Sequence, residues 1–208
     1  MAHISFLLDR LEDPFEMFPL HAVSGQLGEL VNETGLRQYD RNGPYGVSEK
    51  CRSVEDEHDV AMEQLFIGSA FVLCQAAITQ AISIATKVHE IAGKPSHLPC
   101  GKPAIMATMA PVHQESGLSK IAIVDAAANY FKHQYEWDDD WRGPDRARDT
   151  IALVVRLGME PRHEYNLSRA LRVLEVSESD MSPMARLIQD WRARLAAHFR
   201  TVLNEPSP

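Results

Sequence analysis

Residues 64–86 read QLFIGSAFVLCQAAITQAISIAT, a stretch without a charged side chain. It is long enough to cross a bilayer as a helix. Yet Gln64, Ser69, Gln75, Thr79, Gln80, Ser83 and Thr86 dilute its hydrophobicity. A helix apolar on every side is either buried in protein or bathed in lipid. The polar content favours the first alternative, a central helix covered by its neighbours or by a second subunit, with no membrane involved. Upstream, Ser53 has the character of an N-cap, followed by Glu55, Asp56 and Glu57 where the helix dipole favours acids. Downstream, only Gly68 interrupts the pattern before Gly93-Lys94-Pro95. The spacing predicts one long helix over about 54–92, bent near Gly68, as the axis of a bundle.

The rest of the chain is punctuated for more helices. Residues 93–117 hold Pro95, Pro99, Gly101, Pro103, Pro111 and Gly117, which predicts a long loop with one short helical turn inside 104–110. Ser119 caps a helix running to about Glu136, with Ile121, Val124, Ala128, Phe131 and Tyr135 at core spacing. Pro144 suits the first turn of the next helix, which carries Ile151, Val154, Val155 and Leu157 and closes at Gly158. Asn166 is expected to cap a short helix, and Ser182-Pro183 to start the last one. In that last helix Leu187, Ile188, Trp191, Leu195, Phe199 and Val202 form a stripe, while Arg186, Arg192 and Arg200 fall on other faces. Residues 1–52 read as an irregular segment with short helices near Ile4–Leu11 and Gln26–Thr34 and turn chemistry over 40–48, packing on the bundle domain of 53–208. No stretch alternates as a strand does. The fold class is all-α, a bundle of five or six main helices.

Composition bounds the function. The 208 residues carry a net charge of −8. Phosphate neutralisation needs cations, so contact with RNA is confined to a local patch. Cys51, Cys74 and Cys100 are widely spaced and odd in number, which argues against a disulfide framework and for a reduced, cytoplasmic setting. The N-terminus has no basic region before its short apolar run, so a signal peptide is not expected.

The chain holds no phosphate-binding glycine loop, nucleophile elbow or zinc-protease helix, and no cofactor is expected. Two Glu-x-x-His pairs occur, Glu55 with His58 and Glu160 with His163. Such pairs build metal sites on facing helices. Pro161 directly after Glu160 spoils that geometry, and no metal is expected. The richest segment is 127–142, AANYFKHQYEWDDDWR. On a helix Asp125, Asn129 and His133 share a face, with Lys132 beside them. An imidazole, an amide and an ammonium together can serve phosphodiester chemistry. The same residues could instead cap the helix end or bond to a neighbouring helix.

Asn129-Tyr130-Phe131-Lys132-His133, near a helix end in an all-helical chain, resembles the HEPN superfamily. The resemblance implies a helical bundle directed at RNA, an RNase or degenerate RNase of a bacterial defence or toxin-type system. The family signature is an Arg, a polar residue directly after it, and a His a few residues on. Asn129 and His133 stand at the polar and His positions, and Ala128 stands where the Arg would be. Of the Arg and His pairs at signature spacing elsewhere, Arg156 with His163 can share a turn and forms a second candidate. Trp137, Trp141 and Arg142 form a candidate interface, since Trp and Arg are frequent anchors; the Trp rings could equally pack on the core. The alternative function is a non-enzymatic interaction module that homodimerises through the 64–86 helix.

Overall fold

The structure is a computed structural model that describes residues 2–42, 53–93, 95–137, 141 and 147–204. Among these residues it is an all-α bundle with eight helices: α1 Ala2–Glu12, α2 Phe18–Asn42, α3 Val54–Ile91, α4 Lys102–Ala107, α5 Lys120–His133, α6 Arg148–Arg156, α7 Asn166–Val173 and α8 Ser182–Asn204. α3 is the axis. Ser53 accepts the Asp56 N–H at 3.2 Å, and the Asp56 carboxylate accepts the Ser53 N–H at 3.1 Å. This reciprocal cap satisfies two otherwise orphaned donors. Ile67, Phe71, Cys74, Ile78, Ala81 and Ala85 recur at helical spacing and are fully buried. Burial of a side chain such as Phe71 stabilises by about 1.5–3 kcal/mol.

α2 and α5 make the most extensive packing on α3, α1 and α8 pack on one another and also on α3, and α8 packs on α2 as well. Gly68 marks the α3–α5 crossing. A Cβ there would lie 2.2 Å from the Phe131 ring, so glycine lets the ring lie against the α3 backbone. α3 is long and apolar enough to cross a membrane by length and composition, and 44% of its most apolar window is buried within this fold.

Three features depart from the sequence reading. Residues 2–42 are more regular than expected, because α2 is one helix of 25 residues in place of a short one. Pro19 sits in its first turn, where no N–H donor is needed. Gly28 is there for a tertiary reason: a Cβ would lie 2.7 Å from the Ser179 carbonyl oxygen. The 93–117 loop is also more ordered than its Pro and Gly content suggests. It holds α4 and a hairpin in which β1 (Val112–His113) pairs antiparallel with β2 (Leu118–Ser119).

The third departure is Arg192, which is fully buried although its spacing placed it on another face. Its guanidinium donates to the Leu11 and Arg10 carbonyls at 3.3 and 2.9 Å, to Gln80 Oε1 at 3.1 Å and to Glu16 at 2.8 Å. A further contact runs to Met17 Sδ at 3.4 Å. A fork of donors at the end of α1 satisfies helix carbonyls that have no partner in their own helix. Arg200 binds Asp9 and Glu12 further along the same seam. The 40–48 turn lies almost wholly outside the described residues, as does Pro144.

Candidate functional site

α5 carries the segment singled out above. Asp125 and Asn129 lie one turn apart and face Gln75 of α3. Gln75 Nε2 donates to Asp125 Oδ1 at 2.8 Å and to Asn129 Oδ1 at 2.9 Å. With the amide nitrogen turned to these acceptors, Gln75 Oε1 faces outward and accepts the Lys132 ammonium at 2.6 Å. Lys102 of α4 closes the other end, 2.7 Å from Asp125 Oδ2. Asp125 and Gln75 are buried, so each polar atom needs the partner it has. Asn129 and Lys132 therefore do come together, through an α3 residue that the sequence reading had counted only as a polar dilution of an apolar run.

His133 stands apart from this network. Its backbone has left helical geometry, with φ −123 and ψ 0, where α5 passes into a 3-10 turn over Gln134–Glu136. The change of pitch swings the ring toward Glu136, whose Oε1 lies 2.9 Å from Nδ1. The same change exposes Tyr135, which helical spacing had assigned to the core; it is 92% exposed.

The second pair is separated. Arg156, at the end of α6, donates to the Ser116 carbonyl in the hairpin loop. His163 lies in the α6–α7 connection, where the Tyr165 N–H donates to its Nδ1 at 3.2 Å. That acceptor role leaves Nε2 to carry the proton of the neutral ring, a donor available to a ligand.

His163 and Lys132 nevertheless meet in one place. A cleft of about 1020 Å³ opens between the start of α3, the end of α5 and the α6–α7 connection. His58, Lys132, Tyr135, Trp141, Arg162 and His163 are among its lining residues. Its floor is an aromatic triangle. Tyr130 lies 5.6 Å from Trp137 and 5.9 Å from Trp141, and the two indoles are 5.7 Å apart and nearly edge-on. Such separations fit favourable ring pairs. Trp137 is buried and Trp141 half-buried, so both pack on the bundle while bordering the cleft. Trp141 holds φ 55, a region unfavourable to a bulky side chain. Arg142 lies outside the described residues.

Asn166 braces this floor. It is the first residue of α7 and not its cap; its Nδ2 donates to the Tyr130 hydroxyl at 2.9 Å and to the Glu160 carbonyl at 2.8 Å. Burial pushes the Tyr130 phenol up from its ordinary pKa, partly offset by the Asn166 bond. Glu160 turns to Arg169 at 3.3 Å. Among the described residues no group of three or more His, Cys, Asp or Glu side chains is placed to hold a metal ion.

Sequence reasoning missed Gln75 as the buried link between Asn129 and Lys132, and His58 and Tyr135 as lining of the cleft. Gln75 shows in the sequence only as a polar residue in an apolar run, His58 only through its spacing from Glu55, and Tyr135 only as an aromatic at core spacing. Comparison with protein-family models, with curated proteins and with solved structures returned no match.

Proposed function

We propose that the cleft beside the end of α5 binds single-stranded RNA, and that the chain is a HEPN-like, RNA-directed helical protein of a cytoplasmic bacterial defence or toxin-type system. One observation carries this reading: a single cleft collects the Lys132 ammonium, the His58 and His163 imidazoles, the exposed Tyr135 ring and the half-buried Trp141 ring. Unpaired bases stack on aromatic side chains, at about 1–3 kcal/mol per base, and cations track the phosphates. An imidazole can accept a proton and another can donate one, and an ammonium can stabilise anionic charge. Ala128, at the family's Arg position, is fully buried. Its burial favours a member whose chemistry, if retained, runs through cleft residues in place of the signature Arg.

The test is fluorescence anisotropy with a short unstructured RNA at two salt concentrations. The wild type is expected to bind with salt-dependent affinity, and Tyr135→Ala and Lys132→Ala to weaken binding by about tenfold each. Equal affinity in all three proteins would overturn the reading.

A second reading rests on its own observation. On the uncharged stretch of α3, Leu65 and Leu73 remain 45% and 39% exposed. An apolar helix face left uncovered suits a second copy of the chain. Sedimentation equilibrium is expected to show a dimer that Leu73→Glu dissociates; a wild-type monomer at high concentration overturns this reading.

A further inference from the structure

Lys132 is one end of a line of polar groups that leaves the cleft along the seam between α3 and α5. The two helices run antiparallel: Gly68 meets the Phe131 ring, and two turns further along α3 Gln75 meets Asp125. The cleft occupies the start of α3. Beyond it the seam passes Lys132, then Gln75 and Asn129, and ends at Lys102 of α4. On the outer flank of Gln75 the next α3 positions are Ala76 and Thr79, both exposed and too small to cover the seam.

Both ammoniums are anchored from beneath by buried acceptors. Asp125 accepts Lys102 at 2.8 Å on Oδ1 and lies 2.7 Å from it through Oδ2, and Gln75 Oε1 accepts Lys132 at 2.6 Å. Asp125 and Gln75 are 6% and 7% exposed, whereas both lysines reach solvent. The Gln75 amide cannot turn over, because its Nε2 is held by Asp125 and Asn129 together. An ammonium has three donors. Lys132 spends one on its partner and Lys102 at most two, so each keeps at least one for a ligand. Two cations share one carboxylate, which leaves the network net positive. Lysines already held in place lose less side-chain freedom on binding an anion than free surface lysines do.

We propose that a single RNA strand bound in the cleft continues out of it along this seam, with one backbone phosphate on Lys132 and a later one on Lys102. The inference rests on the reading of the cleft as an RNA site. It adds a second phosphate subsite and a length requirement, since only a strand that outruns the cleft reaches Lys102. The division of labour is chemical: the bases keep to the aromatic cleft, and the backbone follows the cations where the seam is lined by small residues.

Affinity of the full-length chain for a length series of unstructured oligoribonucleotides, measured over a range of salt, tests this. Each phosphate neutralised on a single strand steepens the plot of log affinity against log salt by about 0.7. In the wild type the slope is expected to steepen again once the strand is long enough to reach Lys102. In Lys102→Gln that last step should be missing while the shortest RNAs bind as before, and Lys102→Arg should restore it. Identical slopes in wild type and Lys102→Gln at every length overturn the track and leave the cleft reading standing. An equal loss at every length also overturns it, because Lys102 would then act only through Asp125 on the fold. If no RNA binds the wild type, the cleft reading fails and the track fails with it. If Lys102→Gln disturbs folding, RNAs carrying one neutral methylphosphonate linkage are titrated into the wild type instead. A loss of slope at a linkage beyond those in the shortest bound RNA supports the track, and losses confined to the shortest RNA's own linkages overturn it.

Discussion

Replacing Arg192 by Met tests how the first helix is held. Met has a comparable reach and no donors. The substitution leaves Glu16 with its second partner, Arg10, at 2.7 Å, so no carboxylate is stranded. It does remove the donor from the Arg10 carbonyl, the Leu11 carbonyl and Gln80 Oε1. One of these acceptors is buried and two are part-buried, and each left unpaired costs about 1 kcal/mol, which sums to about 3 kcal/mol. For a chain of this length that is a fall of about 6–12 °C in Tm. Urea unfolding followed by circular dichroism gives the free energy, and Arg192→Lys should recover less than half of it, since a single ammonium cannot reproduce the fork. A pH series adds a sign. Burial pushes Glu16 up, but the hydrogen bonds and charges of Arg10 and Arg192 outweigh it and hold its carboxyl below the ordinary 4.5. A lowered folded value means stability present above 4.5 and lost as pH falls through the folded value. The gap between wild type and Arg192→Met should therefore narrow in acid. A Met variant within about 0.5 kcal/mol of wild type at neutral pH would refute the reasoning.

Gly68→Ala places a methyl on the Phe131 ring. Overpacking of this kind costs about 1–3 kcal/mol against about 1 kcal/mol gained in helix propensity, so a net loss in chemical denaturation is expected, and Phe131→Leu in the same chain should relieve it. Burial pushes the Cys74 thiol up to about 12, so it holds almost no thiolate at neutral pH. A Cys51→Ser/Cys100→Ser chain should show no reaction with a thiol reagent until it is unfolded.

What the sequence made legible was local. Ser53, Ser119 and the Ser182-Pro183 step mark the starts of α3, α5 and α8, because a cap is chosen by its own turn. The buried face of α3 follows from its period. α2 reads as a short helix near Gln26–Thr34 because Gly35 looks like a stop, while the glycine at 28 has its cause in a backbone more than a hundred residues away. The site was legible only in part. Asn129 and Lys132 do meet, yet through Gln75, whose role depends on how α3 and α5 cross. His133 was misplaced by assuming that helical pitch continues through it. Arg192 lies beside a core stripe, and nothing in its own neighbourhood announces the α1 carbonyls it serves.

The chain's three tryptophans provide the most direct test of the proposed RNA cleft. Trp137 and Trp141 border it, whereas Trp191 is fully buried with its indole N–H on the Thr108 carbonyl at 3.0 Å. Indole resonances followed by NMR during titration with a short unstructured RNA should show Trp141 and Trp137 shifting with a common saturation curve while Trp191 stays fixed. No shift at saturating RNA, or equal movement of all three, would contradict the assignment of this cleft to RNA.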